Sequence, residues 1–317
     1  MNEKESGIKR VPNVSPEEEK EILEGFRGLL EDQPFFGAEK EKTTEEKEAI
    51  RQIINFFPEF IGKYGGKPLN ISPEVIHIID ESKLSNKDKE LIKEDAGYYR
   101  FDIQKIMVLP QESKLKFLKV IVHELMHLQA FTSLSLKEKD IEGDVEPINA
   151  VNRKFMARRI GFGIFDKTNR SRYFRYIDEA VIEELTKRFD SNCFASIPYL
   201  TNEIKERSEF RQAVSEKNKE EADDIQSLVL KQMENGMREI TYYGYSYSKE
   251  RQKLRSLIKE IYEKNKDDFS SEEDVFDLFA KATMTGRLLP IARLIEKTYG
   301  KGSFRKLGED TEAEAKE

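Results

Sequence analysis

Residues 122–128 constrain this chain more than any other stretch, because they place two histidines and a glutamate inside an apolar run. The segment reads Val-His-Glu-Leu-Met-His-Leu and contains the pattern H-E-x-x-H. Residues four apart on a helix share one face, so His123 and His127 can direct two imidazoles at one metal ion. Glu124 adjoins the first histidine, where we expect it to take a proton from a metal-activated water rather than to bind the metal.

The surroundings of this motif predict a buried helix that begins after Ser113, a suitable N-cap residue. Apolar side chains occupy almost every face of this helix: Phe117, Leu118, Val120, Ile121, Val122, Leu125, Met126 and Leu128. Unpaired polar groups in such a place cost several kcal/mol. A metal ion would satisfy both histidines and the glutamate at once, so the sequence predicts a metal centre.

Composition narrows the classes of function that this chain can have. The 317 residues carry a net charge of −7 with a pI near 5.5, which argues against binding to nucleic acid or to an anionic membrane. Cys193 is the single cysteine, so the chain can form neither an internal disulfide nor a cysteine-based zinc cage. No leader-like or membrane-spanning apolar segment is visible. We therefore expect a cytoplasmic protein without a membrane partner.

Hydrophobic patterning predicts an α+β chain that is mostly helical. An amphipathic helix is expected from Thr44 to Phe60, a buried strand over 74–80 and a second strand over 98–109. His77 lies in the first strand with nothing near it at ligand spacing, so it is expected to be a core histidine. The later segments are predicted as a helix over 148–159, a hairpin of 160–165 with 172–177, and helices over 178–189, 201–218, 219–235, 248–265, 271–284 and 287–299.

The third metal ligand has to come from another part of the chain, because a catalytic zinc takes three protein ligands and keeps one position open. Glu179 is the predicted ligand, since Cys193 would be an unusual partner for this motif and His77 lies upstream in a strand. Glu183 follows four residues later on the same helical face. There it would accept a hydrogen bond from the far nitrogen of a ligating histidine and so fix its tautomer. The alternative is that these glutamates form a solvated face.

The order of the two motifs resembles the gluzincin class of zinc metallopeptidases. Thermolysin-like members place the third ligand in an Asn-Glu-x-x-x-Asp pattern on the next helix. Here Asp178 takes the place of the asparagine, Glu179 that of the ligand and Glu183 that of the aspartate, with Glu179 following His127 by 52 residues. The Glu-Ala-x-x-Glu form is similar to that of small bacterial minigluzincins. The likeness covers roughly residues 70–190, and the chain lacks the metzincin His-x-x-Gly-x-x-His extension and the Gly-x-Met-x-Asn exopeptidase signature.

This resemblance implies a zincin-like catalytic domain in which a small mixed β-sheet packs on the motif helix. The predicted organisation is a disordered tail over 1–15, the catalytic domain over 16–200, an all-helical C-terminal lobe over 201–308 and an acidic tail over 309–317. It also implies one Zn²⁺ per chain, a peptide or protein substrate and Glu124 as the general base. Gluzincins often use a tyrosine or histidine to stabilise the oxyanion, and Tyr176 and Tyr245 are the candidates here.

Two other interpretations stay open at this point. The chain could be a zinc-binding interaction protein without peptidase activity, built on an inactive or structural site. It could also use the same chemistry on a non-peptide amide or ester. Glu124 favours an enzyme, because a structural zinc site has no need of a general base and normally fills four protein ligands.

Overall fold

Short strands and helices alternate through the first part of the chain, and helices dominate the last part. The computed structural model describes residues 8–10, 15–17, 19–20, 24, 39–84, 96–101, 104–136, 150–151, 155–165, 172–232 and 238–313. The helices are α1 Thr44–Gly62, α2 Lys114–Gln129, α3 Arg175–Cys193, α4 Thr201–Ser215, α5 Lys219–Asp224, α6 Ser248–Lys264, α7 Glu272–Thr285, α8 Leu289–Tyr299 and α9 Ser303–Ala313. The strands are β1 Ile8–Arg10, β2 Glu39–Lys40, β3 Ile76–Ile79, β4 Gly97–Arg100, β5 Lys105–Val108, β6 Thr132–Leu136, β7 Ala150–Val151, β8 Phe155–Ile160, β9 Gly163–Phe165, β10 Arg172–Tyr173, β11 Ile225–Gln232 and β12 Arg238–Gly244.

Local capping explains where the motif helix α2 begins. The Ser113 side chain accepts a hydrogen bond from the backbone N–H of Lys116 at 3.2 Å, which confirms Ser113 as the N-cap. Glu203 of α4 adds a second cap, because its carboxylate accepts the N–H groups of Lys114 and Leu115 at 2.9 and 3.0 Å. A carboxylate at this end also complements the helix dipole. Two side chains, Ser113 and Glu203, therefore cap the start of the motif helix.

A four-stranded mixed sheet packs against this helix. Its order is β2-β3-β5-β4, with β3 parallel to β5 and β4 antiparallel to β5. Gly97 lets β4 approach α2 closely, since a Cβ there would lie 2.5 Å from Val120 Cγ1. The prediction of one strand over 98–109 was wrong, because Gln104 takes a left-handed φ of 50° and the chain turns back as a hairpin. The α+β class with small mixed sheets is confirmed.

A second sheet corrects two further predictions. Residues 155–160 form strand β8 rather than the helix predicted over 148–159, because β6 supplies hydrogen-bond partners that no local pattern reveals. Ile8–Arg10 lie in the segment predicted as a disordered tail, yet they form β1 and pair in parallel with β6. Most of the rest of that tail lies outside the described residues. The predicted hairpin is present as β9 and β10, although helix α3 begins at Arg175, before the predicted strand would have ended.

The C-terminal lobe is not all-helical. Residues 225–244 contain the antiparallel hairpin β11–β12, where a helix had been predicted over 219–235. The β-branched and aromatic residues Ile240, Thr241, Tyr242 and Tyr243 favour this pairing. Helices α4, α6, α7 and α8 agree with the predictions to within a few residues. Helix α9 reaches Ala313 and so enters the predicted acidic tail, of which 314–317 lie outside the described residues.

One cluster of buried apolar side chains joins the two parts of the chain. It runs from Ile50 in α1 through Leu125 in α2 and Ile182 in α3 to Phe279 in α7. Helix α3 lies within this core, and buried side chains follow one another along almost its whole length. The boundary predicted at residue 200 stays a prediction. Among the described residues, no helix has the length and apolarity needed to cross a bilayer.

Candidate metal centre

The three predicted ligands meet where α2 packs against α3. His127 Nε2 lies 3.2 Å from Glu179 Oε2, and His123 Nε2 lies 3.6 Å from the same oxygen. One ligand atom of each side chain lies within 4.8 Å of the other two. The three residues selected from sequence spacing therefore converge on one point, although 52 residues separate the second histidine from the glutamate.

Glu183 lies behind the first histidine of the motif. Its Oε2 lies 2.7 Å from His123 Nδ1, the nitrogen on the far side of the ring from Glu179. Its Oε1 accepts hydrogen bonds from Lys119 Nζ at 2.5 Å and from the backbone N–H of Ser246 at 2.6 Å. The carboxylate is fully buried. It therefore fixes the ring of His123 with Nε2 directed at the centre.

The electrostatics of the cluster reflect this arrangement of charges. Burial raises the pKa of Glu183, but Lys119 and His123 outweigh burial and hold that pKa far below its usual range. Burial lowers the pKa of His123, but its hydrogen bonds to Glu179 and Glu183 outweigh burial and raise that pKa to about 10. The pKa of His127 is also raised, because the attraction of Glu179 outweighs the effect of burial. The neighbouring carboxylates therefore favour the protonated form of both imidazoles in the metal-free protein.

Glu124 lies beside the cluster on the wall of a cavity. Its side chain is 7% exposed, and burial raises the pKa of its carboxyl group. The backbone N–H of Tyr99 in β4 donates a hydrogen bond to this carboxylate. A carboxylate with a raised pKa, fixed at the edge of a cavity, is suited to accept and return a proton near neutral pH.

The cavity has a volume of about 580 Å³ and is bounded by strand β4, helix α2 and the hairpin β11–β12. Its wall includes both histidines, Glu124 and Glu179, so the predicted ligands and the predicted base face the same space. Within the part of the chain that the structure describes, the cluster of His123, His127 and Glu179 lies in this cavity. The hairpin that forms one of its walls is the element that the sequence had predicted to be helical.

Arg172 and Asp178 also belong to the site, and the sequence did not predict the ion pair between them. Arg172 of β10 forms an ion pair with Asp178, and its Nη1 lies 3.4 Å from Glu179 Oε1. Asp178 is fully buried, and its Oδ1 accepts the backbone N–H of Phe162 at 2.7 Å. Arg172 thus holds one oxygen of Glu179 while the other faces the histidines. No spacing rule marks this arginine, because it comes from a short strand rather than from the same helix.

The tyrosines are arranged differently from the prediction. Tyr245 is 3% exposed, and its hydroxyl donates to Asp190 Oδ2 at 2.5 Å, further along α3 and outside the cavity wall. Tyr176 lies near Lys253 and, like Tyr245, is not part of the cavity wall. Tyr247 does line the cavity, and its ring stacks on His123 with a centroid distance of 5.6 Å and an interplanar angle of 16°. Of these three tyrosines, Tyr247 is the one on the cavity wall, while the oxyanion role predicted for Tyr176 or Tyr245 stays a prediction.

His77 lies apart from the cluster, as expected. It is buried in β3, with its Nδ1 2.9 Å from Glu39 Oε1. Within the described residues, the group able to hold a metal consists of His123, His127 and Glu179.

Comparison with known proteins adds no relative, because no family model, no curated protein and no solved structure matches the chain. A functional assignment therefore depends on the chemistry of the site itself.

Proposed function

We propose that this protein is a zinc-dependent metallopeptidase of the gluzincin type, with one Zn²⁺ held by His123, His127 and Glu179. The observation that carries the proposal is the convergence of these three ligands beside Glu124 in one cavity. Two imidazoles and one carboxylate form a donor set that catalytic zinc uses, and it leaves a position open for substrate or water. The buried partner of His123 provides the outer hydrogen bond that such sites require.

Each residue of the site has a distinct task in peptide hydrolysis. Zinc held by His123, His127 and Glu179 would supply Lewis acidity to the attacking water and the peptide carbonyl. Glu124 accepts the proton that the attacking water loses and delivers it to the departing amine. Glu183 keeps the proton of His123 on Nδ1, and Arg172 restrains Oε1 of Glu179 so that Oε2 stays directed at the histidines.

The cavity also offers a group for the negative charge that develops on the carbonyl oxygen. Tyr247 lies on its wall and is stacked on His123, close to the reacting centre. A phenol hydroxyl there can donate a hydrogen bond to the oxyanion. Strand β4 forms the facing wall, where an extended peptide can align beside Glu124. A zincin-like arrangement of mixed sheet and motif helix accounts for these positions.

Elemental analysis of zinc after dialysis is the first test of this function. We expect about one zinc per chain in the parent protein and in Glu209→Ala, a variant of an exposed glutamate. Glu179→Ala should lose most of its zinc, because two imidazoles alone bind the metal weakly. A parent protein that holds no zinc even after metal is added back would contradict the proposal.

Cleavage of a peptide library, followed by mass spectrometry, is the second test. The parent protein with zinc should cut peptides, and Glu124→Gln should retain zinc while its rate falls by at least about 100-fold. Stoichiometric zinc with no cleavage in the parent would favour the alternative of a zinc-binding interaction protein.

A further inference from the structure

The charges of the cavity differ in sign from those of the whole protein. The chain has a net charge of −7, whereas four of the six lysine, arginine, aspartate and glutamate side chains on the cavity wall are cations. The cations are Lys116, Lys119, Arg172 and Arg175, and the carboxylates are Glu124 and Glu179. The two carboxylates already belong to the proposed metal chemistry. A ligand in the cavity can therefore pair only with those cations that have no carboxylate partner of their own.

Two of the four cations are committed to the site itself. Lys119 pairs with Glu183, and Arg172 pairs with Asp178 and Glu179. Lys116 and Arg175 form no ion pair with any residue that the structure describes. The ammonium group of Lys116 lies 3.9 Å from the ring centroid of Tyr243, on the hairpin side of the cavity. Burial and the nearby Lys119 lower the pKa of Lys116, so an anion beside it would relieve an unfavourable environment.

A buried amide group lies on the same side of the cavity. Gln226 is 1% exposed and lines the cavity, and within the described residues its Nε2 has no hydrogen-bond partner. It occupies a β-bulge, because Ile225 pairs with Gly244 and Ser227 pairs with Tyr243, which leaves Gln226 as the extra residue. Bulges re-aim side chains and occur often beside active sites. An amide donor buried without an acceptor is costly, so this site calls for an acceptor.

Lys116 and Gln226 both line the cavity beside the hairpin β11–β12. Lys116 lies over Tyr243 of β12, and Tyr243 pairs with Ser227, the neighbour of Gln226 in β11. An ammonium group and an amide N–H that face one space can both donate to the two oxygens of a carboxylate. Along α2, Lys116 precedes His123 by two turns, which is roughly 10 Å and matches about three residues of an extended peptide.

We propose that Lys116 and Gln226 form a carboxylate-binding subsite, and that the protein therefore prefers peptides with a carboxylate within about three residues of the bond that is cut. This specificity rests on the proposed peptidase function. The carboxylate can come from an aspartate or glutamate side chain or from the C-terminus of the peptide. The first source makes the protein an endopeptidase for acidic sequences, and the second makes it a carboxypeptidase.

Binding, rather than turnover, tests this subsite, so the result does not depend on the peptidase proposal. Labelled, N-acetylated alanine hexapeptides are titrated into Glu124→Gln protein and followed by fluorescence polarisation. One set is C-terminally amidated and carries a single glutamate at successive positions. A second set carries glutamine instead, and a third has a free C-terminus and no glutamate. We expect either the glutamate set or the free C-terminus set to bind at least about fivefold more tightly than the neutral glutamine set. This difference in affinity should become smaller at high salt.

Two lysines of the same helix provide a matched comparison. Lys116→Gln should reduce the preference for carboxylate to less than about twofold, and Lys116→Arg should retain it. Lys114 lies over the ring of Tyr199 at 4.1 Å, in a similar contact but outside this cavity. Lys114→Gln should therefore keep the full preference. Equal binding of all three peptide sets, or equal loss in the Lys114 and Lys116 variants, would overturn the proposal.

Discussion

Helix α3 buries carboxylates on two sides, and the two sides use them in different ways. On one side, Glu179 and Glu183 face the histidines of α2 and the cavity. On the other, Glu184 is bonded by Arg251 Nε at 2.9 Å and by Arg255 Nη2 at 2.8 Å. Asp190 lies two turns beyond Glu183 on the same face but past the cavity, and it accepts two hydrogen bonds from Arg207.

The difference lies in what neutralises the buried charge. Arginine remains protonated at every relevant pH, so the ionic side is complete without any external group. Histidine can lose its proton and still offer a lone pair, so the side with Glu179 can exchange protons for a metal ion. Helix α3 therefore carries a permanent ionic cluster, defined by Glu184, Asp190 and their arginines. Next to it lies the cluster of Glu179 with the two histidines, which can hold either protons or a metal ion.

Removal of Glu184 should have the largest effect and should leave the metal side untouched. Glu184→Ala removes the carboxylate that Arg251 and Arg255 share and leaves the buried Arg251 with Asp224 as its remaining partner, so we expect a loss of about 3 kcal/mol in the free energy of unfolding. Urea denaturation measures this loss, and elemental analysis should find the parent's zinc content in the folded variant. Loss of zinc at full stability would show that the two sides are not independent.

Removal of the charge of Glu183, behind His123, should have the next largest effect, which is a loss of zinc affinity. Glu183→Gln weakens the hold on the His123 ring and deprives Lys119 of its ion pair, so zinc affinity should fall about 10–100-fold. Competition with a chelator of known affinity measures it. Glu203→Gln is the control, because Glu203 caps the same helix outside the cavity. An equal loss in both variants would indicate a general effect on α2.

Tyr245 and Tyr247, two residues apart, contact different clusters: Tyr245 contacts the ionic cluster and Tyr247 the histidines. Tyr245→Phe removes a buried hydrogen bond to Asp190 and should cost about 1 kcal/mol of stability with no change in kcat. Tyr247→Phe should change stability little and lower kcat about tenfold or more, because Tyr247 lines the cavity beside His123. Thermal denaturation and steady-state kinetics give the two readouts. The reverse pattern would return the oxyanion role to Tyr245.

Proton release on zinc binding should be the smallest and most specific signature. The pKa of His123 is raised to about 10, so this ring is protonated at pH 7 in the metal-free protein, and the pKa of His127 is also raised. Zinc binds neutral imidazole, so binding should release about one proton from His123 at pH 7, together with any that His127 carries. Calorimetry in buffers of different ionisation enthalpy counts them. Zinc binding without proton release would contradict the charged state of the cluster.

The same shift predicts how the stability of the metal-free protein depends on pH. A folded-state pKa of about 10 for His123, above the ordinary value of 6.5, adds stability that is fully present below pH 6.5. This stability is lost as pH rises through about 10. Urea titrations between these limits should show a fall in the parent that is smaller in Glu183→Gln, because that variant lacks one of the carboxylates that raise the pKa of His123.

The sequence alone determined the parts of the site that lie within single helices. His123, Glu124 and His127 follow from the spacing of residues on α2, and Glu179 with Glu183 from the same spacing on α3. Helical periodicity is local, so a side chain's face can be derived from its neighbours in the chain. The ligand count of zinc then linked the two helices, and the structure brings the five residues together.

Only the tertiary structure decided what surrounds those five residues. Arg172 reaches Glu179 from a two-residue strand, and Ser246 reaches Glu183 from the end of a hairpin that had been predicted as helix. Tyr247 rather than Tyr245 enters the cavity for the same reason. Strand pairing and bulges depend on partners far along the chain, and no local spacing encodes them. Helical spacing thus defined the proposed ligands and the proposed base, while non-local packing defined the cavity that they line.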